Sequence, residues 1–110
     1  MIAKMIIAIL TIATGAFALV KPTAIYSFTG LTASNVRGIS EIRAIFGGLL
    51  IALGAAPFFL GLPAYQTLGV GYLGIALVRL ASIIFDKSYA SSNWISLAIE
   101  VLFGLVLILR

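Results

Sequence analysis

No cysteine and no histidine occur among the 110 residues. Their absence excludes disulfides, thiol redox chemistry, histidine-ligated haem, most zinc sites and imidazole acid–base catalysis. Charge is almost as scarce, at 9% of residues against about 25% in a soluble domain. That is too little to coat a water-facing surface. Seven Lys and Arg residues outnumber three Asp and Glu, for a net charge of +4. They are scattered rather than gathered into a stripe, so no nucleic-acid surface is expected. No cofactor and no metal are expected either.

What the chain has is apolar length: 63% of it is hydrophobic and its mean hydropathy is +1.25. A bilayer-crossing helix needs about 20 apolar residues. Stretches at about 3–20, 40–61, 65–85 and 94–109 meet that need and occupy nearly the whole sequence. Each outlasts a typical strand and lacks period-two alternation, which argues against a β-barrel. Backbone groups facing lipid must be satisfied within their own segment, so each stretch is expected to be a helix. The sequence predicts an all-α fold, a single transmembrane domain over residues 1–110. It would be an integral membrane four-helix bundle in up-down-up-down order, with the lipid bilayer as its main partner. No room is left for a soluble catalytic domain. Lys4 and Ala16-Phe17-Ala18 also fit a cleavable signal peptide, but the rest of the chain is as hydrophobic as the first stretch, which favours a retained helix.

The connections carry their own expectations. Lys4 and Lys21 flank the first span and are expected to snorkel. Residues 21–38 read as an interfacial loop in which Pro22 opens a short helical turn and Ile25, Tyr26 and Phe28 rest at headgroup level. Pro57 should kink the second span, residues 61–64 should form a tight hairpin, and residues 86–93 a polar turn. Tyr89 and Trp94 suit a membrane–water interface. Ser34 or Asn35 is expected to cap the second helix, and residues 91–93 the fourth. Gly48, Ala52 and Ala56, with Gly74 and Ala81, are spaced for close helix approach within the bundle or across a dimer.

A charge inside a span costs about 2.5–3.5 kcal/mol on insertion scales, which singles out Glu41, Arg43, Arg79 and Glu100. All four approach the side that carries the 21–38 loop and the 86–93 turn. Arg79 stands seven residues before Asp86, and Glu100 seven after Asn93. Both therefore lie about 10 Å from that turn at a rise of 1.5 Å per residue, and an ion pair between them is expected. Tyr72, Ala76, Arg79, Ser82 and Asp86 share one face of the third helix, and Ser92, Ser96 and Glu100 one face of the fourth. Arg37 and Glu41 can pair locally. Arg43 lies about 200° around from Glu41, so only one of the two can face the bundle centre, and Glu41 is expected to be that one. The cluster reads either as a polar pocket for an anion or a proton, or as a salt-bridge network that fixes helix register.

The segment Arg37-Gly38-Ile39-Ser40-Glu41-Ile42-Arg43-Ala44-Ile45-Phe46-Gly47-Gly48, with Gly74-x-Ala76-x-x-Arg79, Asp86 and Glu100, resembles the signature of a bacterial family of small four-helix membrane proteins of unknown function. That family is itself similar to DoxX-like proteins. The resemblance implies the four-helix topology and a bacterial inner membrane. It marks Glu41, Arg43, Arg79 and Glu100 as the pattern's polar positions, and it implies no reaction. The expected function is non-enzymatic: an accessory or assembly component of a membrane complex, with a membrane-protein partner or a homo-oligomer. The alternative is a binding or transport module for a small molecule, anion or proton that uses the Glu/Arg cluster. A membrane enzyme ranks third, since carboxylates alone can do acid–base work. Lys21, Arg37 and Lys87 on the loop side outnumber Lys4 and Arg110, which predicts a cytoplasmic loop.

Overall fold

Four helices carry most of the chain in the computed structural model, which describes residues 1–110 apart from the Phe28 side chain. The expectation for Phe28 therefore lies outside the described residues. The helices are α1 (Ile2–Val20), α2 (Val36–Leu60), α3 (Leu62–Phe85) and α4 (Ser91–Ile108), each long and apolar enough to cross a membrane.

Local chemistry explains where each begins and ends. The Lys21 N–H closes the last turn of α1 on the Phe17 carbonyl at 2.8 Å. A 3₁₀ turn, Pro22–Ile25, and a single helical turn, Tyr26–Thr29, follow, the latter ended by Gly30 at φ 75°. Extended backbone at Asn35 lets its Oδ1 accept from the Gly38 N–H at 2.8 Å, the expected cap. The helix so started begins at Val36, earlier than the expected 40. Arg37 and Glu41 ride on its exposed first turns, so loss of apolar character does not mark the end of the helix.

Within α2, residues Ile42–Leu49 are wound as a π-helix, a winding whose hydrogen bonds reach five residues back instead of four. The helix is interrupted at Ala56 and resumes over Pro57–Leu60, because Pro57 has no N–H to return to the preceding turn. The hairpin expected over 61–64 contracts to one residue. Gly61, at φ 78° and ψ −153°, occupies a region essentially reserved for glycine. Pro63 then fits the first turn of α3, where a missing N–H has no partner to lose. The turn into α4 passes through Lys87 at φ 55°. Ala90 is the N-cap residue of α4 and supplies no side-chain cap, so residues 91–93 lie inside the helix rather than capping it.

Glycine sets the closest contacts, though not the glycines expected. A Cβ built on Gly15 would lie 2.8 Å from the Gly47 carbonyl oxygen, and one on Gly54 would lie 2.8 Å from that of Ala8. As α1 advances from Ala8 to Gly15, its contacts on α2 recede from Gly54 to Gly47. Gly69 of α3 and Gly104 of α4 meet in the same way. By contrast Gly48 and Gly74 face outward, and a Cβ on Gly74 would meet nothing within 4 Å.

Two apolar clusters join the helices. Ile7, Ala8, Tyr65, Leu68 and Leu107 pack together near one end, and Ala18, Ile25 and Ile42 near the other. The Tyr72 hydroxyl lies 2.5 Å from Thr11 Oγ1. That oxygen already donates to the Ile7 carbonyl at 2.9 Å, so the tyrosine is the donor between them. Lys4, expected to snorkel outward, is instead buried on the inner face of α1, and its Nζ has no hydrogen-bond partner among the described residues. Outside these contacts the surface is apolar: a third or fewer of the residues in each span are buried, and Leu77, Val78 and Phe85 stand largely exposed.

Candidate functional site

The polar centre forms where α3 and α4 approach their common turn. Arg79 Nε donates to Glu100 Oε1 at 2.7 Å and Nη2 to Oε2 at 2.8 Å, a bidentate ion pair with the short lengths of charge-assisted bonds. Nη1 donates to Asn93 Oδ1 at 2.7 Å. Asn93 in turn donates through Nδ2 to the Ser88 carbonyl at 3.1 Å and the Ser88 hydroxyl at 3.0 Å. One guanidinium thus links α3 to two positions on α4 and, through Asn93, to the turn between them. The Glu100 side chain is 12% exposed and that of Arg79 31%, so the carboxylate is enclosed while the cation reaches the edge.

The expected Arg79–Glu100 pair is present at the expected depth. Asn93, expected in the turn or as a cap, is the third member of the cluster. The signal lay in its spacing: Asn93 and Glu100 are seven residues apart, two helical turns, and so share a face. That inward face runs through Asn93, Ser96 and Glu100, while Ser92, assigned to it from the sequence, is exposed. On α3, Ser82 donates to Asp86 Oδ2 at 2.7 Å.

Glu41 and Arg43 do not join this cluster. Glu41 is exposed and pairs with Arg37 one turn earlier on α2, and Arg43 is exposed as well. The inward orientation expected for Glu41 is therefore corrected. An α2 that starts early places Glu41 in its second turn, where solvent is close and the Arg37 partner is local. Glu41 instead lines a groove of about 400 Å³ with residues 31–34, Gly38, Ile42, Ile45 and Phe46. A second open groove, of about 480 Å³, runs beside Arg79 along Gly74, Ile75, Val78, Ser82 and Asn93. Among the described residues no group of three or more metal-ligating side chains gathers. The chemistry available is hydrogen-bond donation from a fixed guanidinium at the mouth of an apolar groove.

Residues 1–110 match the model of a family described as a domain of unknown function, DUF4345. The chain belongs to this family. The match covers the elements that build the polar centre and the grooves, but the description attaches no reaction or ligand to DUF4345. No curated protein and no solved structure matches the chain.

Proposed function

We propose that the chain is a multi-pass protein of a bacterial inner membrane. Its four helices cross in up-down-up-down order, and it serves as a non-enzymatic accessory or assembly component of a membrane complex. The supporting observation is the Arg79–Glu100–Asn93 cluster, whose polar groups are spent largely on one another and on joining α3 to α4. Such a network fixes register where packing alone discriminates poorly. The opposed glycine contacts, Ala8 with Gly54 and Gly47 with Gly15, support the alternating topology. The exposed apolar flanks suit lipid and a neighbouring membrane protein. Similarity to DoxX-like proteins, carried by the segment around Glu41 and Arg43, belongs to this reading.

The test is purification of the native protein from its membrane in mild detergent, followed by identification of what travels with it. A stoichiometric membrane-protein partner is expected. An isolated monomer carrying one specific small ligand would sink the accessory reading. Orientation can be read separately, because a chain without cysteine accepts a single probe. Ser27→Cys should resist a membrane-impermeant thiol reagent added to intact cells, as a cytoplasmic 21–38 connection requires.

A second reading, a small-molecule or anion-binding module, is favoured by one observation: the groove beside Arg79 opens onto the exposed edge of its guanidinium.

A further inference from the structure

Arginine carries five N–H donors. In Arg79, Glu100 takes two of them and Asn93 one. One N–H on Nη1 and one on Nη2 are left without a partner among the described residues, on a side chain that is 31% exposed and lines the groove. Glu100 holds the other edge of the guanidinium, so these donors are fixed in direction before any ligand arrives. Asn93 is the third residue of α4. The guanidinium, bonded both to Asn93 and to Glu100 two turns deeper, therefore sits between those two levels, in the outer part of the leaflet nearest the 86–93 turn when a helix of this length spans a bilayer.

Below the guanidinium the groove is apolar and shallow for a specific reason. Gly74 leaves open space where any other residue would place a side chain, and Ile75 and Val78 flank it on the outer face of α3. A donor fork above an apolar trough matches a phosphodiester above a hydrocarbon chain. The local charge selects between sources of phosphate. The Arg79–Glu100 pair is neutral, and the Asp86 carboxylate, held by Ser82, adds a negative charge on the same face. With Lys87 beside Asp86 the surroundings carry no net positive charge to hold a free phosphate dianion. A phosphodiester monoanion delivered by its own acyl chain needs donors more than net charge.

We propose that this groove holds one membrane phospholipid, its phosphodiester on the open donors of Arg79 and an acyl chain along Gly74, Ile75 and Val78. The proposal rests on the binding reading of this groove and names its ligand.

The test is native mass spectrometry of the full chain in detergent, titrated with phosphatidylglycerol or with diacylglycerol of the same acyl chains. The parent is compared with Gly74→Leu, whose Cβ would meet nothing within 4 Å and whose side chain occupies the trough. Val78→Phe, at an outward position, narrows the same trough and serves as the second variant. The parent should retain one phosphatidylglycerol per chain, both variants should retain at least tenfold less, and diacylglycerol should not be retained. Equal retention of diacylglycerol, still lost in Gly74→Leu, would overturn phosphodiester recognition and leave groove binding standing. Phosphatidylglycerol retention unchanged in both variants would overturn the groove as a binding site altogether.

Discussion

Removing one partner of the Arg79–Glu100 pair should cost more on one side than on the other. Arg79→Leu leaves the Glu100 carboxylate with a side chain 12% exposed and too short to reach the edge. Breaking a buried pair in this way costs about 3–5 kcal/mol, and we expect the lower end, about 3–4. Glu100→Leu strands Arg79 instead, but that side chain is already 31% exposed, keeps Asn93, and has an aliphatic stem that lets it move outward. Its loss should be about 1–2 kcal/mol, set by two charge-assisted bonds partly replaced by water. The double variant removes both charges and leaves only Asn93 Oδ1 without its donor, which costs about 1–2 kcal/mol. The two single losses then exceed the double by about 3 kcal/mol, at the top of the coupling range for contacting residues. Reversible unfolding in mixed micelles, titrated with a denaturing detergent and followed by far-ultraviolet circular dichroism, measures all three. Additive single losses would refute the reasoning, and so would a Glu100→Leu as damaging as Arg79→Leu.

The same assay reads the other predictions. Gly54→Leu drives a side chain into Ala8 and Ile12 of α1 and should destabilise by at least about 1–3 kcal/mol, the usual cost of overpacking. Gly48→Ala, on an outward face, should be neutral or stabilising by up to about 1 kcal/mol through helix propensity. Lys4→Met should stabilise the fold by about 1–3 kcal/mol, because it replaces a buried ammonium that has no partner among the described residues with an apolar chain of similar length; a loss of stability would mean that the ammonium is satisfied. Asn35→Ala removes the acceptor for the Gly38 N–H and should cost about 1 kcal/mol, with faster amide exchange confined to the first turn of α2.

The four helices were legible because apolar runs of this length have few ways to satisfy their backbone. The Arg79–Glu100 pair was legible for a related reason: depth along a helix is fixed by counting residues from a turn. Rotation about the helix axis was not legible. In a helix apolar on most sides, periodicity does not say which face is inside, and the π-wound Ile42–Leu49 shifts the phase of everything after it. Gly47 and Gly54, not Gly48, Ala52 and Ala56, meet α1, while Glu41, which precedes the π segment, faces outward because the early start of α2 puts it on an exposed turn beside Arg37. Lys4 lies near a helix end, where a lysine is expected to snorkel, but α1 begins at Ile2 and carries it onto the packed face. Asn93, seven residues before Glu100, is expected only in the turn or as a cap, because an uncharged amide in a polar run carries no charge that would single it out as part of the cluster.

The order of the two charges along the chain has a consequence for synthesis. Arg79 emerges from the ribosome 21 residues before Glu100, a delay of about 1–4 s at ordinary elongation rates. During that interval a bilayer-inserted α3 would carry an unneutralised guanidinium. An insertion site that held α3 until α4 arrived would avoid this, and the two helices would then enter a membrane as one hairpin with the pair already made.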